Sequence, residues 1–386
     1  MDFDLTDEQR QVRDTVRQFA QGEIVPRAAH YDATGDFPYD LVAGMARLGL
    51  FALPFAESVG GAGGDFVSYC LAMEEIARAD ASVAITLEAA VSLGISPLVS
   101  FGTPDQQERW LPPLLAGEKL WAFGLTEPEA GSDAGGTQTR ARRDGDEWVI
   151  NGRKVFITNA GTEISAGVTV TAVTGESDGS RQISAIAVER GTPGYTQAPK
   201  YRKLGWHASD TRELLFDDCR VPAGNLIGSE GGGYRQFLQI LEGGRVAIAA
   251  LSVGVAQACL DASLAYSVER HQFGQPIARF QATQFKLADM ATQVELSRLM
   301  TWRAAAAIDA GRSAAPYASM AKLHASEVAT ACANQAVQIH GGYGFMDESP
   351  VARYYRDVKV NEIGEGTSEV QRILIARHLL EDLLPS

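Results

Sequence analysis

The sequence predicts a mainly α-helical protein with a central β domain. It has three parts: an N-terminal helical domain over residues 1–120, a middle antiparallel, barrel-like β domain over 121–230, and a C-terminal four-helix bundle over 231–386. Three observations carry this. Apolar residues in the first third recur at helical spacing. From about Trp121 to Gly228 the pattern changes to short β-branched runs punctuated by Gly and Pro. Beyond Gly231 the chain returns to long segments of helical period joined by short connections. At 386 residues the chain exceeds what one core serves comfortably, so several domains are expected.

The elements follow in order. Thr6-Asp7-Glu8-Gln9 is a capping box opening a helix with Val12, Val16 and Phe19 on one face. Further helices are expected at Tyr39–Leu48, Phe66–Ala79, Ala81–Leu93 and from Pro104 to Trp110, with Gly60–Gly64 a turn between them. No GK[ST] or strand accompanies that glycine run, so it reads as structural rather than as a phosphate loop. Trp148–Ile150 and Lys154–Thr158 flank Asn151-Gly152, which predicts a hairpin with a two-residue turn. Val168–Val173, Ile183–Val188 and Glu213–Phe216 are the remaining β-rich runs. The last third predicts helices at Tyr234–Glu242, Arg245–Glu269, Gln281–Ala310, Pro316–Gln338 and Ser368–Leu384.

Composition removes several function classes. The net charge of −14 argues against nucleic acid or an anionic membrane as partner, because both call for a basic surface. The four cysteines, Cys70, Cys219, Cys259 and Cys332, lie far apart with no CxxC pair, so no metal site or disulfide framework is expected. They read as small buried hydrophobes in a reducing compartment. The N-terminal MDFDLTDEQR is acidic and lacks the apolar run of a signal peptide, which points to a cytoplasmic protein. Val246–Leu260, the longest apolar stretch, reads as a buried helix too weak for a membrane span.

The most informative segment is Phe123–Asp133, FGLTEPEAGSD. Pro128 lacks a donor and Gly131-Ser132 favour turns, so the run makes a poor helix and a poor strand. It offers hydroxyl and amide donors on a tight path suited to a flat, polar, anionic group. An empty surface loop would read much the same from these residues alone.

This segment resembles, nearly residue for residue, the first signature of the acyl-CoA dehydrogenase flavoproteins. Four more segments resemble that family in the same order along nearly the whole chain. Lys154–Asn159 (KVFITN) is similar to its flavin-stacking segment, and Arg270–Gly274 (RHQFG) to its inter-subunit flavin segment. Gln338–Phe345 (QIHGGYGF) and Glu365–Glu369 (EGTSE) are similar to its C-terminal signature. The resemblance implies FAD as cofactor, an acyl-CoA substrate, a homotetramer built on the C-terminal bundles, and an electron-transferring flavoprotein as electron acceptor.

Glu365, between Gly364 and Gly366, matches the general base that removes the α-proton of the acyl thioester. A carboxylate suits that task when desolvation raises its basicity and donors stabilise the developing enolate. Without the resemblance, Glu365 reads as a solvated acid in a linker. The family's alternative base position is the residue before Arg245. Here that residue is Gly244, which cannot act as a base. Arg245 resembles a substrate-side contact, with a helix-start arginine pairing with Glu242 as the plainer reading.

The resemblance also implies the cofactor contacts. Phe123, Leu125 and Thr126 match residues along the flavin pyrimidine edge. Gly131 and Ser132 match the turn between the pyrophosphate and the acyl-CoA. Phe156, Ile157 and Thr158 match the residues around flavin N5. Many relatives carry Trp where Phe156 stands, and Phe keeps the stacking without the indole donor. Arg270, Gln272, Phe273, Gln281, Gln338 and Gly342 match contacts to a neighbouring subunit's flavin. Thr367 and Glu369 open a helix whose N-terminal amides face the same cofactor. Ser132, Glu242, Arg245, Gly364 and Gly366 are the implied substrate contacts.

The wording of the chain, including FQATQFKLADM at Phe280–Met290, looks closest to the short-chain, butyryl-CoA-like branch. Straight-chain relatives commonly carry Tyr before the base, whereas this chain has Gly364, as does the isovaleryl branch. Tolerance of short methyl-branched acyl groups is therefore expected. Rival readings are an acyl-CoA oxidase, a glutaryl-CoA dehydrogenase, a flavin-bearing nucleic-acid binder and a purely structural helical protein. His340 is expected to pack rather than catalyse, and His207 stands where relatives often carry Arg.

Overall fold

The structure, a computed structural model, describes residues 4–177, 179–381 and 383. The first three residues of the acidic N-terminus and Leu384, the expected end of the last helix, lie outside this set.

Thr6 and Gln9 form the expected capping box, each side chain accepting from the other's amide, at 3.2 and 3.0 Å. Helix α1 (Asp7–Phe19) runs on through a π turn into α2 (Val25–Thr34), passing Pro26 without a break. The next helices are α3 (Tyr39–Arg47), α4 (Phe66–Ala79) and α5 (Ala81–Glu88). A second π segment, Ala89–Ile95, links α5 to α6 (Ser96–Phe101), and α7 (Pro104–Leu115) follows. The helix expected to stop at Leu93 therefore continues to Phe101. Pro97 is accommodated just after the π segment, where the Ser96 amide and hydroxyl both reach back to the Val91 carbonyl. Gly94 is needed there, because a Cβ would lie 2.3 Å from the Trp121 carbonyl oxygen.

The middle region is an eight-stranded sheet in the order β6-β7-β3-β2-β4-β5-β8, with β1 paired to β4. Its strands are β1 (Leu120–Gly124), β2 (Arg140–Asp144), β3 (Glu147–Thr158), β4 (Ser165–Ser177), β5 (Ser180–Glu189), β6 (Tyr195–Gln197), β7 (Thr211–Pro222) and β8 (Leu226–Ile227). Two features correct the sequence reading. The sheet is not wholly antiparallel, since β1 and β2 both meet β4 in parallel. The Asn151-Gly152 hairpin does not form either: β3 runs straight through it, and Asp144 pairs with Glu147 around a Gly145-Asp146 turn. Tertiary bonds override the local turn signal, because the Asn151 amide exchanges two hydrogen bonds with Asp218 on β7. Gly152 is instead a bulge, where a Cβ would lie 2.7 Å from the Thr139 Cα.

The last third holds α8 (Gly233–Glu269), a hairpin of β9 (His271–Gln272) and β10 (Gln275–Pro276), then α9 (Gln281–Asp309), α10 (Ala315–His340), α11 (Pro350–Asp357) and α12 (Ser368–Leu380). Helix α10 packs against α8, α9 and α12, which makes the expected bundle, and α4 of the first third also lies on α8. The break expected at Gly243-Gly244 is absent. Each helical glycine costs about 1 kcal/mol, and burial along α8 outweighs that. Helix α8 and the run Ala81–Phe101 are long and apolar enough to cross a bilayer by composition, contrary to the weak run read at Val246–Leu260. They read as core helices because 83% of each most apolar window is buried inside the protein. All four cysteines are free and buried.

The helices of the first and last thirds share one hydrophobic core, and the sheet has its own. A small third cluster joins all three parts: Phe123 of β1 stacks on Phe237 of α8 at 5.5 Å, with Leu241, Leu93 and Leu125 around them. The first signature segment starts at this junction.

Candidate active site

Glu365 owes its position to an unusual turn. A 3-10 stretch, Val358–Glu362, ends the preceding chain, and Thr367 caps α12 by accepting from the Val370 amide. Between them Glu365 and Gly366 both take the left-handed conformation, at φ +52° and +92°. A non-glycine residue there is strained and needs surrounding structure to hold it. That structure is present: the Lys322 ammonium of α10 donates to the Gly366 carbonyl at 2.7 Å, and the Gln371 amide reaches the same carbonyl at 3.0 Å.

The turn drives the Glu365 carboxyl inward. Both of its oxygens are buried, and the side chain that reaches them is another carboxyl, that of Glu88. Burial pushes Glu365 above the usual carboxylate range, while Glu88, Lys322 and Arg245 pull against that rise. A buried, poorly solvated carboxylate is the form of a strong base. The plainer reading of a solvated acid in a linker does not hold, because both carboxyl oxygens are buried.

Gly244 faces Glu365 across α8. A Cβ built on Gly244 would lie 2.3 Å from Glu365 Oε2, so the two positions aim at one point in space. Arg245 is buried beside them, its Nε without a partner, and no ion pair ties it to Glu242 among the described residues. Glu242 instead accepts from the Ala314 amide at 3.3 Å, at the connection between α9 and α10. Gly364 borders open space, since a Cβ there meets only the Val360 carbonyl oxygen, at 3.5 Å.

The signature loop is fastened by a buried ion pair that the sequence reading passed over. Lys154 of β3, fully buried, donates to Glu127 at 2.6 Å, to the Leu125 carbonyl at 3.0 Å, and to the hydroxyls of Thr137 and Thr171. Glu127 also accepts from the amides of Gln138 and Thr139 and from the Thr137 hydroxyl. Burial raises Glu127, but Lys154 overcomes it and holds the acid at about 2; burial lowers Lys154 to about 8. The legible signal was a lysine at an inward position of an apolar strand, which requires an anionic partner.

The same strand then turns Phe156 outward. The pairing with β7 slips between Lys154 and Ile157, and Phe156 sits at φ +62° with its ring 67% exposed. Tyr201 stands beside it at 5.7 Å. Thr158 is half-buried, and Ile157 points into the β core, so only its backbone is open to a ligand. Thr126 accepts from the Val155 amide through its carbonyl at 2.8 Å, which places the two flavin segments side by side. A strained, outward aromatic beside hydroxyls and an exposed Gly131-Ser132 turn fits a flavin ring and its phosphates.

A second group of expected residues lies elsewhere. Arg270, Gln272, Phe273, Gln281, Gln338 and Gly342 gather where α8 and α10 end and α9 begins, and all are exposed, Phe273 at 92%. Arg245 and Arg270 lie on one continuous helix, about 37 Å apart at the rise of an α-helix. One chain therefore does not bring this group to Glu365. Thr367 is half-buried and Glu369 exposed at the start of α12. His340 stacks on Tyr266 at 4.3 Å and bonds the Ala336 carbonyl, the packing role expected of it. His207 bonds Asp32, which Arg356 also clamps.

Comparison with known proteins adds an independent line. Three family models match in order: the N-terminal domain of acyl-CoA dehydrogenase over residues 6–118, its middle domain over 122–219 and its C-terminal domain over 231–380. The chain is 55% identical over 382 residues to the probable acyl-CoA dehydrogenase YngJ of Bacillus subtilis, covering 99% of this chain and all of that one. It is similar to the butyryl-CoA dehydrogenase structure from Megasphaera elsdenii, with a TM-score of 0.95, 44% identity, and coverage of 98% of this chain and 100% of that one. A chain in a structure of the electron transferring flavoprotein of Acidaminococcus fermentans is also similar, with a TM-score of 0.96 and 42% identity, covering 99% and 100%. With the buried acid, the fastened signature loop and the matching domain order together, the chain belongs to the acyl-CoA dehydrogenase family of FAD-dependent oxidoreductases.

Proposed function

We propose that this protein converts a short-chain or short branched-chain acyl-CoA to its trans-2-enoyl-CoA, with Glu365 as the base. The observation that carries this is the Glu365 carboxyl, both oxygens buried and held inward by a strained turn. The thioester binds with its α-carbon toward Glu365. The developing negative charge on its carbonyl oxygen would be met by the Glu365 amide. Glu365 takes the α-proton as the β-hydrogen leaves with its electron pair. FAD, when bound, would supply the acceptor for that hydride. Phe123, Leu125, Thr126, Phe156 and Thr158 hold the ring, and Gly131 and Ser132 meet the phosphates. Arg245 and Gly366 border the acyl-CoA. Electrons then pass to an electron-transferring flavoprotein in the cytoplasm, a reading the Acidaminococcus similarity supports.

The open space at Gly364 supports room for a branched acyl group. We expect butyryl-CoA and isobutyryl-CoA to bleach the flavin within about tenfold of each other, since a methylene is worth only about 1–3 kcal/mol. An anaerobic screen that also includes octanoyl-CoA tests this, and a clear maximum at octanoyl-CoA counts against it. Hydrogen peroxide formed on turnover would favour the oxidase reading instead.

The separation of Arg270 from Glu365 supports a homotetramer in which Arg270, Gln272, Phe273, Gln281, Gln338 and Gly342 serve a neighbour's flavin. Arg270 suits the pyrophosphate through charge-assisted bonds. Arg270→Ala is expected to purify with much reduced flavin or as smaller assemblies. Full flavin content in an intact tetramer, read by absorbance and light scattering, would refute that assignment.

A further inference from the structure

Glu88 is explained neither by the sequence motifs nor by the reaction. It ends α5, where the helix loosens into the π segment, and it is wholly buried. Both of its oxygens are buried, and the groups that reach them are the Ser92 hydroxyl and the Glu365 carboxyl. Its carboxyl faces that of Glu365 within hydrogen-bonding reach. Two carboxylates cannot donate to each other, so this contact is a hydrogen bond only when one of them carries a proton.

The surrounding groups decide which one. Tyr69 from α4 and Ser92 from the π segment face Glu88, and neither is a cation. Arg245 from α8, with Glu242 behind it, and Lys322 from α10 act on Glu365. A negative charge is therefore compensated at Glu365 and uncompensated at Glu88. Burial, and then the neighbouring Glu365, push Glu88 well above the ordinary carboxylate range.

We propose that Glu88 is a positioning residue that keeps its proton and donates it as a hydrogen bond to the Glu365 carboxylate. This rests on Glu365 being the base. The donated bond aims Glu365 and offsets part of the desolvation that would otherwise leave it protonated at neutral pH. During the reaction the α-C–H bond breaks and its proton joins Glu365. The electron pair of that bond forms the α,β double bond as the hydride departs to FAD. Glu88 keeps its own proton throughout, so the pair passes from one proton and one negative charge to two protons and none.

The test compares flavin bleaching by butyryl-CoA in the wild-type holoenzyme, Glu88→Gln and Glu88→Ala, between about pH 6 and pH 9. Gln can donate to Glu365 and Ala cannot. The alanine variant is expected to lose about tenfold at the acidic end, equivalent to a one-unit rise in the base. It should recover to within about threefold of wild type at the alkaline end. The glutamine variant should track wild type within about threefold throughout. Infrared spectra of the resting enzyme near pH 8 should show a buried carboxylic C=O stretch that Glu88→Gln abolishes, a readout that stands even if Glu88→Ala fails to fold. Equal losses in both variants at every pH, coincident profiles, or an unchanged infrared band would each overturn the proposal. Failure of wild type to bleach with any acyl-CoA would instead overturn the function on which it rests.

Discussion

Glu365→Gln is expected to keep its flavin and lose about 10²–10⁴-fold in the rate of flavin bleaching by butyryl-CoA, the usual contribution of a positioned general base. Glutamine has the size of glutamate and no affinity for a proton in this range, so the change removes the chemistry and spares the packing. The strained turn survives, because the bonds that hold it run from Lys322 and Gln371 to the backbone of Gly366 and not to the side chain. Substrate affinity should therefore change far less than the rate, as expected for an interaction made chiefly in the transition state. Stopped-flow absorbance with a matched flavin content checks this. An undiminished rate would remove Glu365 from the mechanism, since Gly244, the other position aimed at the same point, carries no acid.

Lys154→Met is expected to destabilise the protein by about 3–5 kcal/mol, because it strips the cation from a buried pair and leaves Glu127 charged among apolar strands. Lys154 is 0% and Glu127 4% exposed, so solvent cannot take over the lost interaction. Burial is the largest influence at both groups, and at Glu127 the Lys154 contact together with the Thr137 and Thr139 hydrogen bonds outweighs it. The value of the pair is geometric. It ties Leu125 and Glu127 to β3 only a few residues before Phe156 and Thr158. The variant should therefore lose flavin affinity along with stability. The double change Lys154→Met with Glu127→Gln should cost less than the sum of the single changes, since neither partner is then left charged alone. Urea unfolding of the four proteins measures this. Additive costs would mean that the two groups are not coupled.

Much of this was legible in the chain itself. The capping box, the change of period near Trp121 and the long C-terminal helices are local patterns, and each matches the structure. Glu365 was legible only through the resemblance of its segment, since its flanking glycines by themselves suit a solvated linker equally well. The failures are equally local in cause. Asn151-Gly152 has the chemistry of a hairpin, but cross-strand bonds to Asp218 and the closeness of Thr139 keep it extended. Gly243-Gly244 looks like a break, and α8 continues because it is buried on nearly all sides. Glu88, a single charge in an apolar run, and Lys154, at an inward position of β3, carried a readable signal, but their partners stand far off in sequence.

What the sequence determined by itself is therefore most of the elements and their order, which depend on neighbours within a turn or two. What only the tertiary structure decided is which charges are buried together: Glu88 with Glu365, and Lys154 with Glu127. The physical reason is that desolvation belongs to a place in the folded molecule, assembled by helices and strands that meet there from distant parts of the chain.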